Sequence, residues 1–127
     1  MKKLVCAAVV FGGAFAALQA QAACTYPIAP GKIPDGNTAT KEEMLVSKRE
    51  VTQYDADMKI YVECIQAEYL ADVAAQPDAS KQQKADLERK NSQKQDAALA
   101  EVKDVVERFN VQLNTWKTKN GMAKKSS

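Results

Sequence analysis

The sequence predicts an all-α protein: a helical hairpin of two long antiparallel helices, with a proline-rich extended N-terminal leader clipped to the first. Three observations carry that reading. Residues 41–75 and 81–120 each run without a proline or glycine, and Gln76-Pro77-Asp78 breaks the chain between them. One cysteine, Cys24, stands in the leader and another, Cys64, late in the first helical stretch. Helices joined by so short a connection fold back on each other.

Before the leader comes a segment of different character. Met1-Lys2-Lys3 precedes fifteen apolar or glycine residues, Leu4 to Leu18, and Ala20-Gln21-Ala22 supplies small residues in an A-x-A order. That is the layout of a secretory signal peptide, here residues 1–22, with cleavage expected after Ala22. The apolar run falls short of the ~20 residues that span a bilayer. Removing Lys2 and Lys3 lowers the 18 basic residues to 16, against 16 acidic ones, so the mature chain is formally neutral. A strongly basic nucleic-acid binder is excluded. From Ala23 onward, 42 of 105 residues are apolar and 14 of those are alanine. Such a thin supply of large apolar side chains favours a covalent staple or a partner.

The leader, residues 23–40, holds three prolines and two glycines between Cys24 and Gly36. Proline removes amide donors and fixes φ, so this stretch is extended rather than helical. Pro34-Asp35-Gly36 reads as a turn in which glycine accepts a positive φ. Tyr26, Ile28 and Ile33 give the leader apolar side chains to pack with.

Thr40-Lys-Glu-Glu43 has the form of a capping box and opens the first helix, about 41–75. Met44, Val51, Tyr54, Met58, Tyr61, Ile65 and Tyr69 follow at steps of seven, three and four. They form one stripe on a helix about 50 Å long. Ser80-Lys-Gln-Gln83 is a second capping box, with Asp78 as an alternative cap, for a second helix of about 79–120. Leu87, Ala98, Val102, Val105, Phe109, Leu113 and Trp116 make its stripe. Asn120-Gly121 is a helix exit, and residues 121–127 form a flexible tail.

A hinge near residue 77 pairs positions whose numbers sum to about 154. Val51 then meets Val102, and Met44 meets Phe109. The same register sets Met58–Ile65 against residues 88–96, which lack any apolar side chain. Met58, Ile60, Tyr61, Val62 and Ile65 therefore form a candidate interaction stripe that the second helix cannot cover.

With Cys6 inside the signal, Cys24 and Cys64 remain as an even pair, which in an exported protein reads as a disulfide. In the chain-entropy model, closing a loop of about 40 residues stabilises by roughly 3–4 kcal/mol. The helix from Lys41 to Cys64 spans about 35 Å. The sixteen residues from Cys24 to Thr40 reach about 55 Å, so the bond is within range. It would lay Tyr26, Ile28 and Ile33 over the stripe. The alternative cover is a second copy, giving a four-helix homodimer. The competing fate of Cys24 is lipidation, which would tie the protein to a membrane, but Gln21 stands where a lipoprotein signal usually carries leucine.

Catalytic chemistry has little to work with. There is no histidine, which removes the commonest general base and metal ligand and the usual proximal haem ligand. No C-x-x-C-H or C-x-x-C pair, Gly-rich phosphate loop or G-x-S-x-G elbow occurs. Glu63, Glu68 and Asp72 lie at loosely helical spacing but read as a solvated face. No cofactor, no metal and no enzymatic activity are expected.

Cys24-x-Tyr-Pro, Ile33-Pro-Asp-Gly36, Glu42-Glu-Met44 and Tyr61-x-x-Cys64 together resemble a group of small, uncharacterised exported proteins of Gram-negative bacteria. The likeness covers roughly residues 24–70. It implies an exported, cysteine-linked helical protein and transfers no activity. The functional expectation is a non-enzymatic periplasmic or secreted protein that binds another periplasmic protein as an adaptor, inhibitor or chaperone-like factor. The alternative is a carrier of a small apolar ligand held between leader and hairpin near Tyr26, Met58 and Tyr61.

Overall fold

The computed structural model describes residues 23–122; the expected signal peptide, with Cys6, and the tail beyond Met122 lie outside them. Two helices pack against each other, α1 (Lys41–Ala75) and α2 (Lys81–Lys119), with the extended leader laid along them. Both capping boxes form. Thr40 Oγ1 accepts from the Glu43 amide while that carboxylate accepts from the Thr40 amide, and Ser80 and Gln83 repeat the exchange. Ser80, not Asp78, is the cap of α2. At the far end Gly121 adopts φ +67°. The Met122 amide donates to Lys117 O and the Gly121 amide to Thr118 O, a Schellman closure.

The core follows both stripes. Met44, Val51, Tyr54, Met58, Ala98, Val105 and Phe109 form one buried cluster, with Ala29, Ile33, Ala39, Tyr61, Val62, Val102, Val106, Leu113 and Trp116 packed around it.

The register differs from the expected one. Met58 and Val62 share a cleft with Leu99 and Val102. The polar run of α2 instead faces residues 66–72: Asn91 and Gln95 both donate to Gln66 Oε1 (2.9 and 2.8 Å), and Lys94 lies 3.9 Å from Glu68. With α1 ending at Ala75 and α2 starting at Lys81, the midpoint falls beyond residue 77, so α2 slides and matches amide to amide. The apolar stretch of α1 is thereby covered more fully than its sequence promised.

The leader runs antiparallel to α1, from Cys24 beside Cys64 to Gly36 beside Gln112. Asp35 organises its turn: its carboxylate accepts from the Asn37 amide (2.8 Å), and its carbonyl from the Thr38 and Ala39 amides. Gly36 is not in the positive-φ region, contrary to the turn reading. It is glycine because the chain presses onto α2. A Cβ there would fall on the Gln112 carbonyl oxygen and lie 2.9 Å from Thr115 Cβ and Trp116 N. Trp116 Nε1 donates to Ala39 O (3.1 Å), and Lys119 Nζ reaches Asn37 O, fixing the leader's end to the last turns of α2.

Candidate interaction surface

The leader's start is held by a covalent bond and a polar cluster. Cys24 and Cys64 form the disulfide, Cα–Cα 5.8 Å. A sulfur bonded this way has no valence left for a lipid thioether. The Cys24 amide donates to Glu68 Oε1 (3.1 Å). Both sulfurs and a Glu68 oxygen lie within 4.8 Å of one another. Since the sulfurs are spent on each other, that triangle offers a metal only one carboxylate.

Two residues on, Tyr26 meets Tyr61 edge-on, with ring centroids 4.8 Å apart. The Tyr26 hydroxyl donates to Glu101 Oε2 (2.6 Å), and the Tyr54 hydroxyl to Glu101 Oε1 (2.8 Å). One carboxylate of α2 thus ties the leader to α1. Burial first, and then the bond to Glu101, push the Tyr26 phenol up to about 12; the Tyr54 phenol is raised by the same causes. The hydroxyls of Tyr26 and then Tyr54 hold the Glu101 carboxyl below its usual range.

The five residues of the candidate stripe are not brought together on one surface. Met58 (1% exposed) and Ile65 (2%) are core. Tyr61 is half-buried under Tyr26, and Val62 half-buried beside Leu99 and Val102. Ile60 alone faces solvent, 64% exposed. The reason is angular: Ile60 sits most of a half-turn from the Met58–Ile65 line, and the shifted register supplies the cover that line needed. Of the three leader residues expected to lie over the stripe, Tyr26 does, Ile33 packs on the core nearer the open end, and Ile28 points outward, 93% exposed. Ile28 lines a shallow recess with Gln53, Tyr54 and Asp57 of α1.

Sequence reasoning passed over Glu101, Gln112, Gln66, Asn91 and Gln95. Glu101 is three residues after Ala98 and four before Val105, and Gln112 is three after Phe109 and four before Trp116. A polar residue at stripe spacing is itself a signal of a buried partner. No helix among the described residues is long and apolar enough to cross a membrane. No protein-family model, curated protein or solved structure matches this chain.

Proposed function

We propose that this chain is an exported, non-enzymatic protein that acts by binding another protein through its helical surface. It belongs, on this reading, with the small Gram-negative exported proteins its Pro-Asp-Gly, Glu-Glu-Met and Tyr-x-x-Cys motifs resemble. The observation that carries the proposal is the exposure of Ile28 and Ile60, at 93% and 64% the two most exposed large apolar side chains among the described residues. Both lie on parts of the molecule that the disulfide and the Tyr26–Glu101–Tyr54 bonds hold in place. Rigid apolar side chains in water suit a contact surface, because little conformational freedom is lost on binding.

Tyr61 is half-buried under Tyr26, so the test is placed at Ile60. Ile60→Asp is expected to abolish capture of the partner from a periplasmic extract while the circular dichroism spectrum stays unchanged. Undiminished capture by this variant and by Ile28→Asp would overturn the proposal. The apolar-carrier reading has weaker support, since Tyr26 and Tyr61 are in direct contact where the ligand was expected. The cleft between Met58, Val62, Leu99 and Val102 measures about 200 Å³, below the ~300–1,000 Å³ usual for ligand pockets.

A further inference from the structure

We propose that Cys24, Cys64 and Glu68 become a zinc site when their disulfide is reduced, so that one metal ion replaces the S–S bond as the clip between leader and α1. This goes beyond the protein-binding reading and does not depend on it.

Placement is the first argument. Cys64 and Glu68 stand four residues apart on α1, the spacing that sets two side chains one above the other on a single helix face. Cys24 arrives from the leader, and its amide donates to Glu68 Oε1 (3.1 Å). Both sulfurs and a carboxylate oxygen thus lie within 4.8 Å of one another, the only such trio of metal-ligating side chains among the described residues. Neighbouring ligands on a tetrahedral zinc stand ~3.5–3.8 Å apart, given the usual Zn–S and Zn–O bonds. Once the sulfurs part, that spread fits inside the existing triangle. All three side chains are half-buried, so an ion from solvent can reach them.

The second argument is the donor set. While the sulfurs are bonded to each other, only the carboxylate can bind a metal. Reduction makes it a set of two thiolates and a carboxylate, a combination that suits zinc, with water in the fourth position. Cu(I) would need the sulfurs alone. The charges also balance. Two thiolates and one carboxylate are offset by the divalent ion and by Lys94, which lies 3.9 Å from Glu68. The carboxylate is steadied from both sides, with Oε1 on the Cys24 amide and Oε2 toward Lys94. Such outer contacts orient a ligand before the metal arrives.

The reductant is a dithiol. It gives up two hydrogens and closes to a disulfide, while Cys24 and Cys64 gain one hydrogen each. Zinc then displaces both thiol protons to solvent as the two Zn–S bonds form. The leader stays tied to α1 in either state, through sulfur when oxidised and through the ion when reduced.

The test takes the exported chain, reduces it with dithiothreitol, removes the reductant under anaerobic conditions and titrates with zinc. Native mass spectrometry counts the ions, and calorimetry gives the affinity. The expected result is one zinc per reduced chain and none on the oxidised chain. Cobalt(II) in its place should show a near-ultraviolet sulfur-to-metal charge-transfer band. Glu68→Gln should weaken zinc binding at least about tenfold, since even an outer-shell loss costs that much. Glutamine keeps an oxygen for the Cys24 amide, and circular dichroism of the oxidised variant checks its fold. Proton NMR should show the Tyr26–Tyr61 ring contact kept in the zinc-loaded chain. Four outcomes would each overturn the proposal: no zinc on the reduced chain at micromolar metal, equal binding by the oxidised chain, equal affinity in Glu68→Gln, or one zinc shared between two chains. The third would leave a site of two sulfurs only, and the fourth a metal-bridged dimer.

Discussion

Toward the open end of the hairpin, Met44, Val51, Tyr54, Met58, Ala98, Val105 and Phe109 are buried together, and the leader adds Ala29, Ile33 and Ala39 as a third layer. Toward the hinge, Ile65 is the only buried side chain among the described residues between Cys64 and Ala97, and the helices meet through Gln66, Asn91 and Gln95. The same two helices are thus joined by apolar burial at one end and by amide hydrogen bonds at the other. Burial contributes about 25 cal/mol per Å² of apolar surface. A neutral hydrogen bond adds only about 1 kcal/mol net. The clad half should therefore carry most of the stability, and the bare half should open first. Hydrogen exchange is the direct check: amides of residues 66–95 should exchange well before those of 51–61 and 98–109.

The largest break in this contrast comes from the disulfide, which marks the border between the halves. Replacing Cys24 and Cys64 together by serine should cost roughly 3–4 kcal/mol in urea unfolding, by the chain-entropy model. The Tyr26–Tyr61 contact should loosen with it, and exchange at Tyr54 and Tyr61 should rise. A loss under about 1 kcal/mol would mean that the noncovalent contacts alone hold the leader.

Next in size is Gly36, which seats the leader's other end. Gly36→Ala forces a Cβ onto the Gln112 carbonyl and should cost about 2 kcal/mol, the usual range for overpacking. A Cβ at Gly31 would meet nothing within 4 Å, so Gly31→Ala is the neutral control. Equal effects in thermal melts would show that chain entropy, not close approach, governs both positions.

The Glu101 cluster gives the clad half a pH signature. Its carboxyl is held below the usual range when folded, so its stabilisation is present above the ordinary carboxylate pKa and is lost as pH falls through the depressed value. The tyrosines act at the other limb. Tyr26 is pushed up to about 12, and Tyr54 is raised too, so folding keeps both phenols neutral. Their stabilisation is full below the ordinary phenol pKa near 10, and that of Tyr26 fades as pH rises from there through about 12. Melting temperature should fall on both sides of a broad plateau. Glu101→Ala should flatten both limbs and bring the Tyr26 absorbance titration back toward 10. An unchanged alkaline limb in that variant would detach the tyrosines from Glu101.

How much of this was legible in sequence depended on whether a residue's role is local. Thr40, Glu43, Ser80 and Gln83 are read by spacing alone, since a capping box closes within four residues. The stripes from Met44 to Ile65 and from Ala98 to Phe109 follow from the helical period. The pairing of Cys24 with Cys64 followed from their being the even pair left after the expected signal peptide. The register was not legible, because a slide of a few residues turns on where the hinge centres, and Pro77 marks only its neighbourhood. Ile60 was misplaced for a related reason: a crowded run of apolar residues does not say which member turns outward. Gly36 was given the wrong reason, because a turn and a close approach both select glycine, and only the packing on Gln112 separates them.

The smallest expected effect sharpens the comparison from inside the clad half. Ser47 is 2% exposed, and its Oγ has no hydrogen-bond partner, so this apolar layer holds one unpaired hydroxyl. In the bare half Asn91 Oδ1 is likewise unpaired, but the Gln66 carboxamide oxygen accepts two bonds. Removing the polar group should therefore have opposite signs at Ser47 and at Gln66. Ser47→Ala removes a desolvated hydroxyl and improves helix propensity, and should stabilise by about 1 kcal/mol. Gln66→Ala strips an acceptor from Asn91 and Gln95, and should destabilise by about the same amount. Chemical denaturation of both variants reads the signs directly. If Ser47→Ala destabilises as well, the hydroxyl is satisfied in solution, and the two halves differ in apolar area alone.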